Sequence, residues 1–107
     1  SEAMTKAVSS RLRWAHNLTH ILQTLPAFER LCAILLSLSD RYGVQTAGGI
    51  VVDVSLTHEH LAAFVGVTRQ FATVTLHSLV DRGLISIRKR KIVLHDQKQL
   101  RRLAAVF

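Results

Sequence analysis

Two threonines and two glycines divide residues 57 to 83 into a pair of short helices joined by a turn, and this partition constrains the fold more than any other feature of the sequence. Thr57 is a strong N-cap, because its hydroxyl can accept a bond from an orphan amide of the turn that follows. Leu56 and Leu61 stand at the two positions of a hydrophobic staple, so a helix is expected to start at His58. Gly66 interrupts it after two turns. Thr68 then offers a second N-cap for a helix whose inner face is Ala72, Thr75, Leu76 and Leu79 and which Gly83 stops. The remaining elements have to be arranged around this unit.

Downstream, Leu84 to Arg88 and Lys91 to His95 are β-rich runs, with Ile85 and Ile87 alternating in the first and Ile92 and Leu94 in the second. They predict a hairpin about Lys89-Arg90, although the turn lacks the Asn-Gly or Asp-Gly that fixes a two-residue loop. Asp96 followed by Gln99 resembles a capping box for a last helix through Leu100, Leu103 and Ala104. Upstream, the β-branched run Ile50 to Val54 predicts a strand, and Gly48-Gly49 a loop before it. Pro26 lacks an amide proton but is tolerated in a first turn, so it marks a break and a restart. The helix after it should bury Phe28, Leu31, Cys32, Leu35 and Leu38 and end near Tyr42 and Gly43. Residues 5 to 24 contain no Gly or Pro, and Val8, Ala15 and Leu22 recur every seven residues while Leu18 and Leu25 share that spacing. This seam fits either a dimer contact or an amphipathic helix packed on its own domain. Ser1 to Ala3, ahead of Met4, are given no role in the fold. The fold class expected is mainly α with a small antiparallel β component: a winged helix-turn-helix preceded by a dimerisation-type helix.

Charge narrows the partners. Fourteen Lys and Arg against seven Asp and Glu give a formal net charge of +7 in 107 residues and a pI near 10.8, which favours a polyanion such as nucleic acid or an acidic membrane surface. Nine of the fourteen basic residues lie from Arg69 onward, where the only acids are Asp81 and Asp96. No apolar run is long enough to span a membrane, and the first residues lack the features of a signal peptide. The single cysteine, Cys32, sits among apolar neighbours and reads as a buried structural thiol in a reducing cytoplasm.

A helix, a tight turn, a second capped helix and a basic hairpin suit double-stranded DNA. The second helix is narrow enough to enter the major groove while the first crosses the backbone. With Ala72, Thr75, Leu76 and Leu79 inward, the helical period sends Arg69, Gln70, Thr73, Val74 and His77 outward. Arg69 can give two hydrogen bonds to guanine O6 and N7, Gln70 can pair with adenine, and Val74 can lie against a thymine methyl. Thr73 is a candidate at the base edges or at phosphate. Thr57, Thr68, Phe71 and His77, together with Arg88, Lys89, Arg90 and Lys91 of the hairpin, are candidates for the DNA backbone. Arg101 and Arg102 read as a solvated face.

Residues Leu56 to Ala62, then Val65-Gly66-Val67-Thr68-Arg69-Gln70, then Leu76, Leu79, Gly83-Leu84-Ile85 and Ile92-Val93-Leu94, resemble the C-terminal domain of the cyclic-AMP receptor/fumarate-nitrate regulator (Crp/Fnr) family over roughly residues 18 to 105. The resemblance implies that residues 1 to 24 are a linker and dimerisation-type helix, the end of the family's long central helix, and that residues 25 to 107 are the winged-helix DNA-binding domain. It also implies a bacterial, cytoplasmic transcription regulator, a homodimer at full length, with RNA polymerase a candidate partner. Its cyclic nucleotide or other effector would bind an N-terminal β-barrel outside this sequence, so no cofactor is expected in this chain. Dimer contacts would fall on Val8, Ala15, Leu18, Leu22 and Leu25. Arg69 matches the family's base-reading arginine. Gln70, however, stands where glutamate is usual, Val74 where a second arginine is usual, and Phe71 where a small polar residue is usual. Those departures imply a half-site different from the family's common one.

Other functions find less support. His58 and His60 would point about 200° apart on a helix, which is wrong for chelation. His16 and His20 have better spacing but no third ligand near them, and no metal site is expected. The sequence holds no phosphate-cradling glycine loop or nucleophile motif, so no enzyme is expected. An RNA-binding face would want an exposed aromatic pair, and only Phe71 is a candidate. The rival from a different class is a winged helix whose basic face binds an acidic protein.

Overall fold

The computed structural model describes residues 13, 15, 16, 18, 19, 21 and 23 to 104. Its centre is α1, Ala27–Tyr42, which begins just after Pro26. Every residue of α1 from Leu31 to Ser39 is buried. The sequence suggests one broad apolar face; the middle of the helix is instead buried all round, while its first residues are half-buried and its last three exposed. Leu18 and Ile21 of the N-terminal helical residues belong to the same buried cluster, the last helix packs most extensively on α1, and the sheet also lies against it. Phe28 is only half-buried, with the Arg82 guanidinium 5.9 Å from its ring centroid. Cys32 is fully buried, and burial, with a smaller push from Glu29, raises its thiol to about 11. It is therefore a protonated, inert filler of the core at neutral pH.

Among the described residues, four strands form one antiparallel sheet in the order β1-β2-β4-β3: β1 Gly43–Thr46, β2 Gly49–Val52, β3 Ile85–Arg88 and β4 Lys91–Leu94. β1 is not expected from the sequence. All four of its residues are exposed, so this edge strand has no inward apolar side chains to produce a period of two. β2 starts one residue earlier than Ile50 and stops at Val52. Past the strand, the Asp53 amide still donates to the carbonyl of Tyr42 (2.9 Å), its partner in the continued register.

β3 and β4 pair from Ile85↔Leu94 to Arg88↔Lys91, which leaves Lys89-Arg90 as a two-residue turn. Both adopt positive φ, 50° and 66°, the backbone that Asn-Gly would supply at lower cost. For a residue with a Cβ, this conformation costs about 1 to 2 kcal/mol. Replacing the pair as Lys89→Asn with Arg90→Gly should therefore stabilise the chain by about 1 kcal/mol. A higher urea midpoint at unchanged slope would register the gain, and a lower midpoint would contradict it.

The two capped helices lie where expected: α2 His58–Val65, α3 Arg69–Asp81. A last helix, α4 Gln97–Ala104, buries Leu100 and Ala104, and Asp96 Oδ1 accepts from the Gln99 amide (3.1 Å). Among the seam residues, Leu18 is buried in this chain's own core and Leu25 packs against it, whereas Ala15 is exposed. Leu18 and Leu25 thus contribute to the domain's own core, the second of the two roles the seam allows for these two residues. Val8 and Leu22 lie outside the described residues.

Candidate nucleic-acid interface

The turn between α2 and α3 is built from local bonds. Thr57 Oγ1 accepts from the His60 amide (3.0 Å), and Thr68 Oγ1 accepts from the Phe71 amide (3.1 Å). Gly66 takes the left-handed conformation, φ 81°. There its own amide and that of Val67 both donate to the Ala62 carbonyl (2.8 and 3.0 Å), closing α2 in the manner of a Schellman motif. A side chain from α1 holds this turn from behind. Arg30 donates from Nε to the Val65 carbonyl (2.8 Å) and from Nη2 to that of Gly66 (3.3 Å), while Nη1 donates to the Leu25 carbonyl (2.9 Å). One guanidinium thus joins the end of the N-terminal helical segment to the end of α2, where a cation also suits the helix dipole.

With Ala72, Thr75, Leu76 and Leu79 buried, α3 turns Arg69, Gln70, Val74 and His77 to solvent, and leaves Phe71 and Thr73 half-buried. Val74 is 62% exposed; an apolar residue this open, flanked by polar ones, contributes almost nothing to the core and is free for a partner. The Thr57 and Thr68 hydroxyls accept as caps but keep their protons available for an acceptor outside. Two helix N-termini, each with a positive dipole end, thus lie on the same motif as the exposed row of α3.

The hairpin stands beside this row. The Leu56 amide donates to the Arg90 carbonyl (3.1 Å), which fastens the hairpin tip to the entry of α2, and Arg90 shares a cleft with Thr57 and His58. Arg88, Lys89 and Arg90 are exposed. Lys91 differs: its Nζ pairs with Asp53 Oδ1 at 2.7 Å, so the fourth cation of the hairpin already has a partial counter-charge. Such an exposed pair is weak and exchangeable.

The fold brings three groups into play: Arg30, on which the sequence carries no local signal; Asp53, a surface acid paired with Lys91; and His58, which serves as a partner of Thr73 and not as a metal ligand. His58 Nδ1 lies 2.8 Å from Thr73 Oγ1, and its ring meets that of His77 edge-on, with centroids 6.4 Å apart. No group of three or more His, Cys, Asp or Glu suited to a metal occurs among the described residues. Nor does any helix among them have the length and apolarity to cross a membrane.

A sheet-supported pair of capped helices with an exposed polar row on the second and a basic hairpin beside it defines a winged helix-turn-helix. The model of the Crp-like helix-turn-helix domain matches residues 29–103, and the chain belongs to that family. It is 34% identical over 102 residues to the global nitrogen regulator of Nostoc sp., covering 95% of this chain and 46% of that protein. It is 30% identical over 104 residues to a CRP-like cAMP-activated global transcriptional regulator of Mycobacterium tuberculosis, covering 97% of this chain and 46% of the relative. Among solved structures, a CRP/FNR-family transcriptional regulator from Thermus thermophilus superposes with a TM-score of 0.72 at 32% identity, over 94% of this chain and 52% of that one. A CooA mutant from Carboxydothermus hydrogenoformans superposes at 0.80 with 25% identity, over 97% and 48%. The chain thus spans about half the length of the curated relatives it matches, and it corresponds to the DNA-binding domain of Crp/Fnr-type regulators.

Proposed function

We propose that this chain reads double-stranded DNA in the major groove with Arg69, Gln70, Thr73 and Val74, as the DNA-binding part of a transcriptional regulator. The observation that carries this reading is the exposed row on α3 beside the exposed cations of the hairpin. In this arrangement Arg69 addresses guanine, Gln70 adenine and Val74 a thymine methyl. Thr57, Thr68, Phe71, His77 and the hairpin residues Arg88, Lys89, Arg90 and Lys91 lie along the phosphates. No step of this reading is catalytic. In the full-length protein a second copy would place two α3 helices about one helical turn apart, roughly 34 Å, and an effector such as a cyclic nucleotide would act from a preceding domain. RNA polymerase is a candidate partner of the assembled regulator, and the cytoplasm its place of action.

Fluorescence anisotropy with a labelled duplex while salt is raised tests the DNA contact. If about four phosphates are neutralised, affinity should fall roughly a hundredfold between about 50 and 200 mM salt. Binding that ignores salt, or an equal preference for an acidic polypeptide, would overturn the reading.

A further inference from the structure

A threonine hydroxyl carries one proton, so the direction of its bond to His58 decides what Thr73 can offer to anything outside. When Nδ1 accepts that proton, Thr73 presents only lone pairs. When Nδ1 carries a proton of its own and donates, Thr73 Oγ1 accepts it and the hydroxyl proton is free. Phosphate oxygens and guanine O6 and N7 only accept, whereas cytosine N4 and adenine N6 donate. The two directions therefore suit opposite DNA groups.

We propose that His58 is a positioning residue that sets the hydrogen-bonding polarity of Thr73: protonated at Nδ1 in the complex, it makes Thr73 a donor to a DNA acceptor. The inference rests on the DNA-reading role proposed above. The geometry supports it in three ways. The Nδ1 to Oγ1 distance of 2.8 Å joins the first helix of the motif to the second, with both side chains half-buried. Among the described residues, the charged or titratable groups facing His58 are His77 from α3, at 6.4 Å between ring centroids, and Arg90 from the hairpin, across the shared cleft. The remaining lining of that cleft is Thr57 and aliphatic side chains with no carboxylate, so a DNA phosphate can serve as counter-charge to an imidazolium there. The proton balance is simple. With the free ring as its Nε2–H tautomer, one proton is taken from solvent at Nδ1, the bond to Thr73 reverses, and the hydroxyl proton turns to the DNA acceptor.

Binding that takes up a proton is strongest below the imidazole range and weakens as pH rises through it, by at most tenfold per pH unit for one proton. We expect the full chain, titrated by anisotropy onto a duplex selected from a random pool, to lose about three- to tenfold in affinity between about pH 6 and 8. His58→Asn places an amide donor near Nδ1 and should give a flat profile. Thr73→Val removes the hydroxyl through which His58 acts and should flatten it as well. A flat wild-type profile would overturn the inference, as would a Thr73→Val profile as steep as the wild type, which would mean direct attraction between imidazolium and phosphate. A wild-type chain that selects no duplex at any pH would instead overturn the DNA-reading role itself.

Discussion

Arg69→Ala should weaken binding to the chain's preferred duplex by about 1 to 3 kcal/mol, which is roughly five- to 150-fold, and should erase discrimination at one base pair. The side chain is exposed at the first position of α3, where its planar fork can meet guanine O6 and N7 together. Stability should hardly change, because the side chain has no place in the core cluster. The contrast lies in the hairpin. Neutralising Arg88 and Arg90 should weaken all sequences alike and lower the salt slope by about one for each phosphate left without its cation. Competition assays with matched and scrambled duplexes separate the two patterns. Were Arg69→Ala to lower affinity equally for both duplexes, Arg69 would be a phosphate contact and the base-reading assignment would fail.

The second large effect concerns folding. Arg30→Met keeps most of the alkyl stem but withdraws three donated bonds, two of them part-buried. Charge-assisted bonds of this kind are worth about 1.5 to 3 kcal/mol each when a partner is lost inside, and less where water can replace the donor. A net loss of about 2 kcal/mol is expected, equivalent to roughly 10 °C in Tm for a chain of this size. Calorimetry or urea unfolding measures it directly. A loss within about 0.5 kcal/mol, the range of an ordinary surface substitution, would show that the guanidinium does not hold the turn. Because the same group joins the Leu25 carbonyl to the Val65 and Gly66 carbonyls, the variant should also loosen the N-terminal segment from the motif. Faster amide exchange at Val67, whose amide donates across that turn, would report it.

Much of this architecture was legible because its signals are local. Thr57, Thr68 and Asp96 each cap a helix three residues ahead of the amide they bind, and Gly66 and Gly83 take the positive φ that ends a helix. Such features need no knowledge of distant chain. The hairpin was legible from its alternation, though not its turn, since Lys89 and Arg90 adopt the left-handed region against their intrinsic preference. β1 left no trace because an exposed edge strand buries nothing.

The outward row on α3 followed from helical period alone. What refines it did not: His58 reaches Thr73 across 15 residues, and Arg30 reaches Val65 across 35, so neither pair shares a helix face or a strand register. Leu18 shows the same limit. A sevenfold repeat records that one face is apolar, but whether that face meets α1 or a second copy depends on packing that the repeat does not encode.

The central claim is that the exposed row on α3 reads DNA sequence, and selection of bound duplexes from a random pool, followed by sequencing, tests it most directly. We predict a two-part motif with a guanine position that disappears in Arg69→Ala, and a half-site that departs from the family's usual one at the pairs facing Gln70 and Val74. A pool that emerges as random as it entered would contradict the claim.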